Sequence, residues 1–351
     1  MQFSIRKLFV INFFIVILFF NNDLYTSNKL KEIDDFGLIS LMYHRFEENK
    51  YPSTNIKIKE FINHIKVIED DNIQFINPKN FEEELKNNKA QRKILLTIDD
   101  GFISFYNNAW PILKEKKIPF ILFVSTREVG KSNYMTWDQI REISNKDFVE
   151  IGNHSHTHEY LVDENREVIL ADIKKSMSIF KKELGKNSQF FSYPFGEYSL
   201  EFKKIIFSLG FKYAFGQHSG VIDETKDLYE LPRFPINEKY GEIKRFISLT
   251  KTLPFKYKTI TPDEKYLLQN KNPPKIKIEF FENIKNLKSL TCYSNEGNKW
   301  RESDIKFEDN FTLLININSK FVGERGRINC SLRDSSGYWR WLGIQFVVSE
   351  K

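Results

Sequence analysis

From Gly37 onward, short apolar runs alternate with segments of helical spacing. "LISLMYH" (Leu38 to His44) predicts a buried strand, and "KEFINHIKVIEDDN" sets Phe61, Ile65 and Ile68 on one helical face. "RKILLTIDDGF" predicts a strand that runs into two carboxylates. "AWPILKEKKI" then predicts a helix before the strand "PFILFVST", and "TWDQIREISN" a helix before the strand "FVEIGNHS". "VILADIKKSMSIFKKELG" is a long amphipathic helix closing at Gly185, followed by a strand and turn in "QFFSYPFG". "LEFKKIIFSLG" is a further helix, and "FKYAFGQHSG" a strand and loop. Repeated strand-then-helix units predict a parallel α/β sheet. Their number, without a Gly-x-Gly-x-x-Gly fingerprint, points to a (β/α) barrel, complete or incomplete, over residues 33–252.

After Leu253 the texture changes. Pro262, Pro273 and Pro274 stand among polar residues, so 253–274 is expected to be a linker. Beyond it, "KIKIEFF", "LTCYS", "FTLLININ", "RINCSL" and "WRWLGIQFVV" are short alternating runs separated by turn residues. They predict a small all-β sandwich over 275–351. The only two cysteines, Cys292 and Cys330, fall on two of these runs and are expected to form one disulfide stapling the two sheets. Trp339 and Trp341 alternate onto one face of the last strand, where core packing outweighs a glycan platform.

The N-terminus, "MQFSIRKLFVINFFIVILFFNND", places Arg6 and Lys7 before an apolar run from Leu8 to Phe20 broken only by Asn12. That run is short for a membrane span of roughly 20 residues but suits a signal segment. Residues 1–22 are therefore expected to direct export to a periplasmic or extracellular location. No clean cleavage site follows, so an uncleaved anchor giving membrane association stays open. Across 351 residues, 41% hydrophobic content supports a proper core, and a net charge of +6 is too diffuse to predict nucleic-acid binding.

Two stretches carry chemistry. In "LLTIDDGF", Asp99 and Asp100 arrive at the C-terminal end of a strand, where parallel α/β folds place active sites. A turn at Gly101 can bring both carboxylates to one pocket, although Asp-Gly is by itself a common turn former. In "EIGNHSHTHEYL" three of the six histidines crowd into five residues, again after a strand. Four-residue spacing would put His154 and His158 on one side of a helical turn, close enough to share a cation. His156 would point elsewhere, and the Asn153-His154-Ser155 glycosylation match is a chance one. Two imidazoles and one carboxylate leave coordination positions open, the mark of a catalytic metal site.

Together these motifs resemble the polysaccharide deacetylase family, the NodB-homology carbohydrate esterases. The likeness rests on Thr97-Ile98-Asp99-Asp100-Gly101 and on His154-Ser155-His156-Thr157-His158, and spans about Gly37 to Arg245. "MTWDQIREI" and "YPFGEYS" also look like segments of exported deacetylases acting on poly-N-acetylglucosamine-type polymers. The resemblance implies a distorted barrel of about seven strands. It implies Asp99 as base, and Asp100, His154 and His158 as ligands of a divalent metal: Zn2+ first, with Co2+, Fe2+ and Mn2+ as alternatives. The expected activity is removal of N-acetyl groups from a polysaccharide.

An oxyanion donor is expected at the Phe195 N–H, because Pro194 has none to give. His44 and His218 are the candidates for the general acid. The family's Arg before the Pro-Tyr-Gly turn is missing from Ser192-Tyr193-Pro194-Phe195-Gly196. Arg233, in "LPRFPIN", is the candidate to brace Asp99 instead, against a surface or interdomain ion pair. Trp137 and Tyr193 are read as core aromatics ahead of sugar-stacking ones. Two other functions compete: an inactive carbohydrate-binding module on the same fold, and a glycosidase, which would leave the histidines unexplained.

Overall fold

The computed structural model describes residues 35–87, 91–281 and 284–349. The expected export segment, 1–22, lies outside them. Among the described residues no helix is long and apolar enough to cross a membrane.

Six strands form the body of the larger sheet: β1 (Leu38–Tyr43), β2 (Lys93–Ile98), β3 (Phe120–Val124), β4 (Val149–Asn153), β5 (Phe190–Ser192) and β6 (Tyr213–Phe215). They lie side by side in chain order, every pair parallel. Sequential order with right-handed crossovers winds the chain in one sense and curls the sheet into a half-barrel. β7 (Val221–Ile222) adds antiparallel to β1, and β8 (Phe234–Pro235) pairs parallel with it. All residues of β1 to β6 are buried, as strands covered on both faces require.

The crossover helices form as patterned. α1 (Ile58–Asp70) buries Phe61, His64, Ile65 and Ile68. α2 (Trp110–Lys116) leads into β3. α3 (Trp137–Ser144) opens with a capping box between Thr136 and Gln139. α4 (Arg166–Leu184) ends on Gly185, whose φ of 73° is open to glycine at no steric cost. α5 (Leu200–Ser208) and α6 (Ile243–Leu249) follow, and a short helix, Phe81–Lys86, precedes β2. Trp137 packs edge-on against Phe180, and Tyr193 is fully buried with its hydroxyl donating to Tyr229 O, so both are core aromatics.

The stretch expected as a linker is instead built into the sandwich. β9 (Leu253–Pro254) and β11 (Tyr266–Leu267) pair with the last strand, and β10 (Tyr257–Thr261) joins the opposite sheet. Phe255 and Leu267 sit in the sandwich core, and that burial outweighs the loop signal of the neighbouring prolines. One sheet runs β9, β18 (Trp339–Val348), β17 (Arg325–Arg333), β13 (Thr291–Ser294), β14 (Arg301–Glu302). The other runs β10, β12 (Ile276–Phe280), β16 (Thr312–Asn316), β15 (Asp304–Phe307).

The Cys292–Cys330 disulfide forms, but it does not staple the two sheets. The two residues face each other on β13 and β17, neighbouring strands of one sheet. Trp339 is 44% exposed, whereas Trp341 packs against the barrel core. β18 also meets the barrel at Gly343, whose N–H donates to Ser219 O at 2.7 Å. A Cβ there would come within 2.4 Å of that oxygen.

His64 ties α1 to the barrel rim. Its Nε2 lies 2.6 Å from Gly241 O, so that nitrogen carries the proton and Nδ1 accepts from the Tyr43 hydroxyl at 3.1 Å. Burial pushes its pKa down to about 4, against an ordinary value near 6.5. The folded state thus binds fewer protons than the unfolded chain at acid pH. The His64 contribution is complete above pH 6.5 and is lost as pH falls towards 4, by up to about 3 kcal/mol. Urea unfolding of the protein and of His64→Phe between pH 4 and 8 should show a stability gap that shrinks below pH 6.5. A gap independent of pH would refute the assignment.

Candidate active site

The strand register delivers the chemistry to one rim. Tyr43 pairs with Ile98 and Val124 with Asn153, so His44, Asp99 and His154 each follow the last residue of neighbouring or near-neighbouring strands. Asp99 continues the ladder, its N–H donating to Tyr43 O. Asp100 then adopts φ 74°, and Gly101 φ 75°. Adjacent residues of a regular strand face opposite ways, so the left-handed Asp100 is what turns its carboxylate towards the pocket of Asp99.

The two histidines expected as ligands are brought together by a bend and not by the expected helical turn. Ser155 and His158 have φ of 66° and 55°. Asp172, on α4, holds the bend: its carboxylate accepts from His156 N at 2.7 Å, Thr157 N at 3.0 Å and Thr157 Oγ1 at 2.6 Å. Asn153 Oδ1 accepts from Ser155 N, and Ser155 Oγ from His158 N. Asn153 is buried, so its glycosylation match has no surface to act on. His156 turns away to Thr126, with Nδ1 2.8 Å from its hydroxyl.

His154 Nε2 and His158 Nε2 each lie 3.3 Å from Asp100 Oδ1 and 3.2 Å from one another. Their ligand atoms form a cluster of the size that one ion spans. His154 Nδ1 is 2.7 Å from Ser192 O, a pure acceptor, so Nδ1 carries the proton and Nε2 turns its lone pair inward. An imidazole lone pair, a carboxylate oxygen and a second ring nitrogen thus converge on one point. That donor set fits a divalent cation of the zinc type with positions left open. Burial alone would raise the Asp100 carboxyl, but its two imidazole neighbours, His154 and His158, outweigh this and hold it well below the usual range.

Behind this cluster, Arg233 grips Asp99 with both arms: Nη1 to Oδ1 at 2.7 Å and Nη2 to Oδ2 at 2.8 Å. Both side chains are fully buried. The remaining guanidinium protons go to Gly216 O, Thr97 Oγ1 and Ser192 Oγ, so no donor is left over. Burial raises the Asp99 carboxyl, yet the charges of Arg233, His154 and His44 outweigh it and hold the pKa below the ordinary value. His154 Nε2 lies 4.0 Å from Asp99 Oδ2, which sets the two carboxylates on one pocket.

His44 is half-buried at the end of β1, where burial lowers its pKa while the nearby charges of Asp100 and Asp99 act to raise it. His218 does not join this group. Its ring lines a cavity at the barrel–sandwich junction, with Lys226, Lys265 and Trp341. Burial, then repulsion from Lys265, Lys226 and Lys203, push its pKa down to about 3. Phe195 sits in the turn after β5 with φ 58°, its ring 4.7 Å from that of His158. Asp172, Asn153 and Ser192 escaped the sequence reading. An Asp on a helix exposed at most neighbouring positions carries no signal of its own.

Residues 86–214 match the family model described as polysaccharide deacetylase. A putative polysaccharide deacetylase of Bacillus subtilis, YxkH, is 26% identical over 219 residues, 60% of this chain and 76% of that protein. The poly-beta-1,6-N-acetyl-D-glucosamine N-deacetylase of Staphylococcus aureus is 26% identical over 244 residues, 65% of this chain and 78% of that protein. Among solved structures, the Streptococcus pyogenes deacetylase PplD superposes with a TM-score of 0.56 at 24% identity, covering 62% of this chain and 99% of that one. IcaB from Ammonifex degensii gives 0.56 at 24%, covering 61% and 97%. The barrel region of the chain is thus similar to polysaccharide deacetylases in sequence and shares their fold.

Asp172→Ala should weaken Zn2+ binding to the metal-stripped protein by about 10- to 100-fold, as losses behind a ligand shell do. His154→Ala should abolish it, and His156→Ala should leave it within about twofold. Titration calorimetry reads all three, and an Asp172→Ala protein of unchanged affinity would refute the bracing role.

Proposed function

We propose that the protein is a metal-dependent N-deacetylase acting on an extracytoplasmic N-acetylhexosamine polysaccharide. The observation that carries this is the pairing of an Asp100–His154–His158 cluster with a second, Arg233-gripped carboxylate on the same pocket. The name of the Staphylococcus aureus relative supports an N-acetylglucosamine polymer as the substrate class. An apolar leader behind two basic residues supports export.

A divalent cation bound by Asp100, His154 and His158 would make a bound water acidic and polarise the acetyl carbonyl. Asp99 takes the proton of the attacking water. Arg233 fixes its orientation, and the hydrogen bonds it makes leave neither carboxylate oxygen free to swing away. The Phe195 N–H, in the turn after β5, serves as oxyanion donor. His44, among the charges of Asp99 and Asp100, delivers the proton to the departing amine. His218 is too strongly held neutral, and too far into the sandwich junction, for that task. Half-buried Tyr134, its ring tilted against Phe102 at 4.9 Å, offers an aromatic face at the rim for a sugar ring.

Purified protein with Zn2+ or Co2+ and an N-acetylglucosamine oligomer should release acetate without shortening the chain. Shortened chains would mean a glycosidase, and binding without either product an inactive module. Asp99→Asn should lower kcat by about 100- to 10,000-fold. His44→Ala should cost more in kcat than His218→Ala, and the reverse order would exchange their roles.

A further inference from the structure

The sandwich reaches the reaction rim at one place. Arg325, the first residue of β17, pairs through Nε with Glu197, whose side chain is 1% exposed. Its guanidinium also lies 5.9 Å from the centre of the Phe195 ring. Gln345, on β18, donates to Gly196 O at 3.4 Å. Tyr160 stacks on the other face of the same rim, its ring parallel to Phe195 at 4.2 Å, and its hydroxyl donates to Glu324 Oε2 at 2.9 Å. Two neighbouring sandwich strands therefore hold both the turn that carries Phe195 and the loop that carries His158.

That turn needs holding. Phe195 and Gly196 both have positive φ, at 58° and 72°, and a non-glycine residue in that region is strained unless its surroundings fix it. Within the turn Gly196 N donates to Tyr193 O and Glu197 N to Pro194 O. Glu197 is an odd choice for a purely structural contact. Burying a carboxylate against one arginine recovers little of its desolvation, and here Oε2 has no hydrogen-bond partner among the described residues. An apolar residue of similar size would pack as well. The ion pair does give direction: it fixes where the turn sits relative to the sandwich.

We infer that Arg325, contributed by the C-terminal sandwich, is a positioning residue for deacetylation that acts through Glu197 and Phe195 to hold the 194–197 turn at the reacting carbonyl. This rests on the deacetylase reading above. The accessory domain is thereby part of the working site and not a separate module.

The test uses the full-length, Zn2+-loaded protein and an N-acetylglucosamine oligomer. Arg325→Ala should lower kcat by about 10- to 100-fold with KM within about twofold, the penalty of a misplaced donor. Arg325→Lys should recover part of the loss. Arg325→Ala combined with Glu197→Gln should be no worse than Arg325→Ala alone, since both act on one turn. Zn2+ affinity should stay within about twofold throughout. Amide exchange read by mass spectrometry over 194–198 should quicken at least tenfold in Arg325→Ala.

Unchanged kcat, or a raised KM at unchanged kcat, overturns the inference, as does unchanged exchange in the turn. If Arg325→Ala fails to fold, Glu197→Gln carries the same kcat and exchange expectations in a milder form. A wild-type protein that releases no acetate sinks the deacetylase reading itself. A working wild type with an equally active Arg325→Ala sinks only the role of Arg325.

Discussion

A carboxylate that has to stay charged while fully buried sets the terms for this site. Asp99 is fully buried, and an isolated buried carboxylate would simply take up a proton. Arg233 prevents this, and it can do so only because β8 lies parallel beside β1 and carries the arginine in behind the β2 terminus. The guanidinium is in turn fully spent on Thr97, Ser192 and Gly216, from β2, β5 and the end of β6. Four strands of the half-barrel are thus tied to one ion pair. Removing either partner would leave the other charge buried and unpaired, which costs about 3 to 5 kcal/mol.

Around that pair, the rim is built from residues in left-handed backbone geometry. Asp100, Ser155, His158 and Phe195 all have positive φ, and each either carries or orients a reactive group. Regular strand or helix geometry would send these side chains apart. The strain is tolerated because rigid neighbours determine the backbone: the Asp172 carboxylate on α4 holds the histidine bend, and the Phe195 turn is clamped between Tyr160 and Arg325.

This explains how far the sequence could be read. Strands that are apolar on both faces announce themselves, as "LISLMY" and "KILLTI" do, and so does the helix that stops at Gly185. The Asp-Asp pair and the histidine triplet were legible because each directly follows such a run. The bend that joins His154 to His158 was not, since a four-residue spacing reads equally well as a helical turn, and only Asp172, far along the chain, decides otherwise. The same holds for the disulfide. Two cysteines on alternating runs are visible in the sequence, but which strands become neighbours depends on sheet order. Arg233 could be named as a candidate brace for Asp99. What distinguishes it from a surface ion pair is burial, which local sequence does not encode.

Asp99 and Asp100 are chemically identical neighbours to which the proposed reaction gives different tasks. Asp100 faces two imidazoles and Asp99 faces a guanidinium, so each carboxylate has its own cation-like partner and neither raises the other's pKa at close range. The arrangement has a consequence for the base. Held below the ordinary carboxylate range by Arg233, Asp99 is a weak proton acceptor. A base that weak is matched only to a water of raised acidity. In the proposed reaction the Asp99–Arg233 pair and the Asp100–His154–His158 cluster would therefore require each other: the first supplies an oriented acceptor that is ionised before the reaction, and the second the place where a water could be made acidic enough to give up its proton.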